Sequence, residues 1–168
     1  DQEREEQKNE FKKITYLNVK ISMHKMIAIS KAKLTEAQNI RRLEQKVWKE
    51  RDVDSIYEVA YVIKFGHSFV AKNKNTIVGA ILATKTIQNE IYVDDFFVDR
   101  KYRRRGIGKK LYERLMQVVK KEPIITYVSH KYEESLRLHK KLGFKIVRRV
   151  KDPYGRGEKG DWFLMEKN

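Results

Sequence analysis

The 168-residue chain contains no cysteine. That absence excludes a disulfide framework, thiolate-bound metal and a cysteine nucleophile together. No run of about 18 apolar residues occurs, so no segment reads as a membrane span. The acidic start lacks the apolar stretch of a secretory signal, which leaves a cytoplasmic setting as the default. Acids are in deficit: 23 Asp and Glu stand against 38 Lys and Arg, a net charge of +15. Such an excess predicts a polyanionic partner, whether nucleic acid, anionic lipid or a phosphate-rich small ligand. Hydrophobic residues still reach 40%, enough at this length for one compact domain with a real core rather than a disordered chain.

The charge is unevenly spread. Ten bases and the single acid Glu113 fall between Arg100 and Lys121, whereas the first ten residues hold five acids and two bases. Residues 1–24 carry few apolar anchors and read as a charged arm or appended helix. The first residue is Asp1 rather than methionine, which fits a piece of something longer. From residue 25 the signals become regular. Ile27–Ile29 reads as a strand. A Thr35/Gln38 capping box predicts a helix through Ala37, Ile40, Leu43 and Val47. Ser55 with Glu58 opens a second helix, with Gly66 as its C-terminal cap. A β-meander follows over 68–71, 76–87 and 90–98. The third helix begins near Gly106 with an apolar stripe of Ile107, Leu111, Leu115 and Val119. Ile124–Val128 is a buried strand, Tyr132–Leu142 a fourth helix, and 144–150 and 161–166 the last two strands. A meander followed by β-α-β-α-β predicts an α/β (α+β) domain, a mixed sheet flanked by helices.

The segment from Val98 to Gly108 carries the strongest chemical signal. It joins a strand to a helix, so its free N–H groups lie at the positive end of a helix dipole. Gly106 and Gly108 allow close backbone approach, and Arg103, Arg104 and Arg105 surround them. Together these describe a pyrophosphate cradle. The segment is neither a Walker loop nor a dinucleotide fingerprint, since Leu111 stands where a third glycine belongs. The competing reading is an ordinary helix start with a solvated basic turn.

Here the chain resembles the GNAT family of N-acetyltransferases from about Lys25 to Lys167. The family signature Arg/Gln-x-x-Gly-x-Gly/Ala is met by Arg103, Gly106 and Gly108, flanked in the expected order by Phe96-Phe97-Val98 and Leu142-Gly143-Phe144. The resemblance implies a GNAT fold, a mostly antiparallel mixed sheet with splayed parallel strands 4 and 5. It implies acetyl-CoA as cofactor, with the backbone of Arg104, Arg105, Gly106, Ile107, Gly108 and Lys109 on its pyrophosphate. Phe97 and Val98, with Phe96 before them, would then pair with the pantetheine arm where strand 4 splays from strand 5. It also implies direct transfer of acetyl to a primary amine. A thioester carbonyl needs an N–H donor aimed at its developing oxyanion, and a backbone amide near Val98 fits that need.

Two positions are open in role. The family pattern places a tyrosine, the acid for the departing thiolate, where this chain has His139; the family's frequent Asn near the pantetheine is Tyr132. His139 reads either as that proton donor or as a half-buried helix residue, and Tyr132 as a packing or ligand-lining residue. Asp94 and Asp95 lie in a run similar to the strand of diamine and polyamine acetyltransferases. Regular alternation would point them to opposite faces, with Asp94 on that of Tyr92 and Glu90. Either reads as an amine-binding or catalytic carboxylate; the competing reading is one solvated acid and one paired with lysine. His24, His67 and His130 lack metal-ligand spacing, Trp48 and Trp162 read as packing residues, and Tyr154 in the last loop reads as cleft lining or a plain hairpin turn. The acceptor is a small amine such as a polyamine, or a peptide or protein amine. A homodimer is compatible with the sequence, while no membrane partner is expected. The rival class is a basic nucleic-acid-binding module, disfavoured because no recognised motif for it appears. A GNAT-fold acyl-CoA binder without turnover is the third reading.

Overall fold

The computed structural model describes residues 5–15, 27–49 and 54–168. Part of the expected arm, and His24 with it, lies outside the described residues. Within the arm a helix, α1, runs over 5–15 with every residue exposed. The remaining elements follow the expected sequence. They are β1 (Ile27–Lys31), α2 (Ala37–Val47), α3 (Ile56–Phe65), β2 (Phe69–Asn73), β3 (Thr76–Lys85), β4 (Ile91–Val98), α4 (Ile107–Val119), β5 (Ile124–Ser129), α5 (Glu133–Lys141), β6 (Lys145–Lys151) and β7 (Asp161–Lys167). The seven strands form one sheet in the order β1-β2-β3-β4-β5-β7-β6. All neighbours are antiparallel except β4 and β5.

The sheet is covered on both faces, which explains the apolar runs in its central strands. On one face the α4 stripe Ile107, Leu111, Leu115 and Val119 packs on Val78, Ile81, Val93 and Met165. On the other, Ile40 and Leu43 of α2 and Val59 and Ile63 of α3 cover Val70, Ala80, Leu82 and Phe97. Ser55 caps α3 as expected: its Oγ accepts from the Glu58 N–H at 3.2 Å, and the Glu58 carboxylate accepts from the Ser55 N–H at 2.6 Å. The start of α2 differs from expectation. No Thr35/Gln38 box forms, because a 3-10 turn over Leu34–Glu36 precedes the helix. Glu36 there accepts from the Lys33 N–H at 2.9 Å and pairs with Lys72 of β2. The boxed acid lies two residues earlier and ties helix to sheet.

Candidate active site

Two features meet along β4. At its start the strand pairs with β5 only through Ile91 opposite Ile124 and Tyr92 opposite Ile125. Thr126 Oγ1 donates to the Val93 carbonyl at 3.2 Å just beyond. There the ladder ends and a wedge opens, as expected for the splayed pair. At its far end β4 feeds the basic turn that begins α4.

Asp99 anchors that turn. Its N–H donates to the Val78 carbonyl at 2.8 Å. Its carboxylate accepts from Lys46 of α2 at 2.6 Å and from the Lys101 N–H at 3.1 Å. Burial pushes this carboxyl up, yet the Lys46 ammonium and the Lys101 amide outweigh burial and hold it below its ordinary value. A depressed folded pKa stabilises above the unfolded value of ~3.9 and loses that contribution as pH falls through the folded one. Asp99→Asn should therefore lower the melting temperature at pH 7, and its gap from wild type should close as the pH drops below about 4. A gap independent of pH in thermal melts would refute the charge-based anchor.

The turn brings the expected cofactor residues together. Arg104 (φ 62°) and Gly106 (φ 73°) are both left-handed, and Gly106 caps the N-terminus of α4. The first amides of α4 have no partner within the helix. A Cβ on Gly106 would meet nothing within 4 Å, so space beside the backbone is open. The side chains divide their work. Arg103 Nε donates to the Val98 carbonyl at 3.0 Å and stitches turn to strand. Arg105 lies over the Tyr102 ring. Arg104 and Lys109 are exposed, making surface pairs with Glu134 and Glu113 that contribute little stability. Ile107 is buried, leaving only its backbone to face a ligand.

Two expectations need correction. Gly108 was expected to serve ligand approach, but a Cβ there would stand 2.8 Å from Phe96 Cζ and 3.1 Å from Leu138 Cδ2. Its bareness lets α4 sit against β4 and α5. The Phe97 side chain is buried under α2 and α3, which leaves its backbone as the part that could pair with the pantetheine; Phe96 lies on the α4 side. The alternation of Asp94 and Asp95 also fails. Leu82 of β3 pairs with Asp95 and Ala83 with Val93, which leaves Asp94 as a bulged residue. Since Tyr92 pairs with Thr84, Asp95 and not Asp94 shares the face of Tyr92.

That face carries Trp48, which the sequence marks only as a packing residue. Trp48, at the end of α2, donates from Nε1 to Asp95 Oδ1 at 3.3 Å, and the same oxygen accepts from the Phe96 N–H at 2.8 Å. The Trp48 ring lies 5.1 Å from that of Tyr132, the N-cap of α5. The Tyr92 hydroxyl lies 2.9 Å from that of Tyr154, and Tyr154 also contacts Tyr127 and Trp162. Burial, then Tyr154, pushes the Tyr92 hydroxyl pKa up, and the Asp94 charge adds to this. Trp48 thus positions a carboxylate besides packing. Its pairing spans 47 positions of sequence, and no local pattern announces it.

His139 does not lie open to the wedge. It is 1% exposed, with Nε2 at 2.6 Å from the Tyr112 hydroxyl and Nδ1 at 2.7 Å from the Ser135 carbonyl. Of its two readings, this geometry favours the helix residue over the proton donor, since both ring nitrogens have partners inside the core.

A family profile described as acetyltransferase (GNAT) family matches residues 34–144. Solved structures share the fold. Naa50 of Arabidopsis thaliana, in complex with the bisubstrate analogue CoA-Ac-MVNAL, is 22% identical with a TM-score of 0.72, covering 85% of this chain and 99% of its own. The ribosomal-protein-S18-alanine N-acetyltransferase of Escherichia coli is 20% identical, TM-score 0.71, over 84% and 92%. Diaminobutyrate acetyltransferase EctA of Paenibacillus lautus, with L-2,4-diaminobutyric acid and coenzyme A, is 20% identical, TM-score 0.70, over 83% and 93%. Among the described residues no helix is long and apolar enough to cross a membrane.

Proposed function

The chain belongs to the acetyltransferase (GNAT) family, and from that premise we propose that its acceptor is a single primary amine, gathered beside Asp95 and a wall of aromatic rings. As a family member it is an acetyl-CoA-dependent N-acetyltransferase. The turn from Arg103 to Lys109 fits the cofactor on its own chemistry: a left-handed glycine with open space beside it, a helix start, and exposed cationic side chains suit a pyrophosphate. Bound there, acetyl-CoA supplies an activated acetyl thioester.

The observation that carries the acceptor reading is the Asp95 carboxylate fixed by Trp48 on the face of Tyr92. A carboxylate among aromatic faces suits a cation, through charge and through ring quadrupoles. An amine with a reference pKa of ~10.4 arrives charged and must lose a proton before it attacks. Asp95 or Asp94 would receive the cation and pass its proton to solvent. The +15 net charge repels a polycation, so a single amine on a small molecule or a peptide N-terminus fits better than a polyamine. EctA was solved with a diamino acid and Naa50 with a bisubstrate analogue, which puts both acceptor kinds within reach of this fold.

A panel of a monoamine, a diamino acid, a polyamine and a short peptide with a free N-terminus, each with acetyl-CoA, tests this by thiol release. Turnover is expected with the singly charged acceptors and should be weakest with the polyamine. Thiol release no faster with any amine than without one would refute the acceptor reading.

A further inference from the structure

On the inner side of β4, away from Trp48 and Tyr154, four rings close around one hydrogen bond. The Tyr112 and His139 rings meet edge to face at 5.0 Å. Phe96 packs on Tyr112 at 4.9 Å and meets His139 edge-on at 6.1 Å. Phe144 closes the cluster at 5.1 Å from His139 and 5.6 Å from Tyr112. Phe96 also limits what lies outside the cluster, because a Cβ at Gly108 would stand 2.8 Å from its Cζ. The cluster therefore backs directly onto the first turn of α4.

We infer that His139 is a positioning residue: through Tyr112 and Phe96 it fixes where Gly108, and with it the amide-bearing start of α4, stands for the cofactor. This rests on the reading of that turn as the pyrophosphate cradle. The hydrogen bonds define how the ring works. A carbonyl only accepts, so the Ser135 contact places the ring hydrogen on Nδ1. Nε2 is then an acceptor, and the Tyr112 hydroxyl is its donor. No hydrogen is left at Nε2 for a departing thiolate. Burial drives the imidazole pKa down to about 4 against the opposing pull of Ser135, so the ring is neutral at physiological pH. Burial keeps the Tyr112 hydroxyl protonated, and the Asp95 charge pushes the same way. Ser135 Oγ, 3.3 Å from Nδ1, completes the polar surroundings of the ring.

Glutamine is the discriminating substitution at this position. Its amide donates and accepts, as the imidazole does, yet it has no proton to exchange. Histidine ¹⁵N NMR on the protein without cofactor should show a neutral Nδ1–H ring that does not titrate between about pH 5 and 8. In calorimetry, His139→Ala and the milder Tyr112→Phe should each weaken coenzyme A binding about tenfold, with non-additive effects in the double variant. His139→Gln should keep most of the wild-type affinity and rate. A ring titrating near ~6.5 would overturn the inference. So would His139→Ala and His139→Gln both losing kcat at unchanged coenzyme A affinity, the pattern of a proton donor. Wild-type protein that fails to bind coenzyme A would instead overturn the cradle reading, and this inference with it.

Discussion

Gly106→Val and Gly108→Ala should both impair acetyl-CoA binding, by different routes that two measurements separate. At Gly106 the backbone is left-handed and nothing crowds the position. A β-branched residue held there is strained by ~1–2 kcal/mol, which the free turn relieves by leaving that conformation. Binding must restore it, so affinity should fall roughly 5- to 30-fold from strain alone, before any side-chain obstruction of the phosphates. The helix core is untouched, so the melting temperature should move little. At Gly108 the added methyl meets Phe96 at 2.8 Å and Leu138 at 3.1 Å. Overpacking of this kind costs about 1–3 kcal/mol, so α4 should shift and the melting temperature should fall by roughly 2–4 °C per kcal/mol. Calorimetry and thermal melts on each single variant and on the double variant give the test. Coenzyme A affinity unchanged in the double variant would place the cofactor away from this turn.

These two glycines also mark how far the sequence reaches. Their spacing in a strand-turn-helix context announces an anion cradle, because local backbone chemistry alone creates one. The same spacing is silent on which glycine faces the ligand, since that depends on Phe96 and Leu138, brought in from β4 and α5. The meander and the α4 stripe are legible because a period of 2 or 3.6 reports burial directly. The two adjacent acids look the same with or without a bulge, so the parity of Asp94 and Asp95 is settled only by the register against Leu82 and Ala83. His139 did carry a readable signal: it lies three positions after Leu136, which packs on the core, and so belongs to the buried stripe of α5. A polar residue on that stripe needs partners, and it finds them in Tyr112 and Ser135.

Asp95→Asn is the variant expected to change acceptor use most. Asparagine keeps an oxygen for Trp48 and for the Phe96 N–H, the two donors that Asp95 Oδ1 now serves, so the local geometry should persist while the charge is lost. Loss of a charge-assisted hydrogen bond to the amine costs ~1.5–3 kcal/mol, or about one to two orders of magnitude in kcat/KM. The loss should appear in the acceptor KM if the carboxylate only receives the cation, and also in kcat if it relays the proton. Asp94→Asn should have a smaller effect, because the bulge takes Asp94 out of register with Tyr92 and leaves it acting through its field on that hydroxyl. Coenzyme A affinity should hold in both variants, since the cationic side chains and amides of the basic turn begin past the end of β4. Asp95→Ala adds a second contrast by removing the acceptor for Trp48 Nε1; a further loss relative to Asp95→Asn would measure what the pinned indole contributes to the cleft. Wild-type kcat/KM for the best amine in both Asn variants would mean that neither acid reads the acceptor. The search would then move to Tyr92 and Tyr154, whose hydroxyls meet at 2.9 Å.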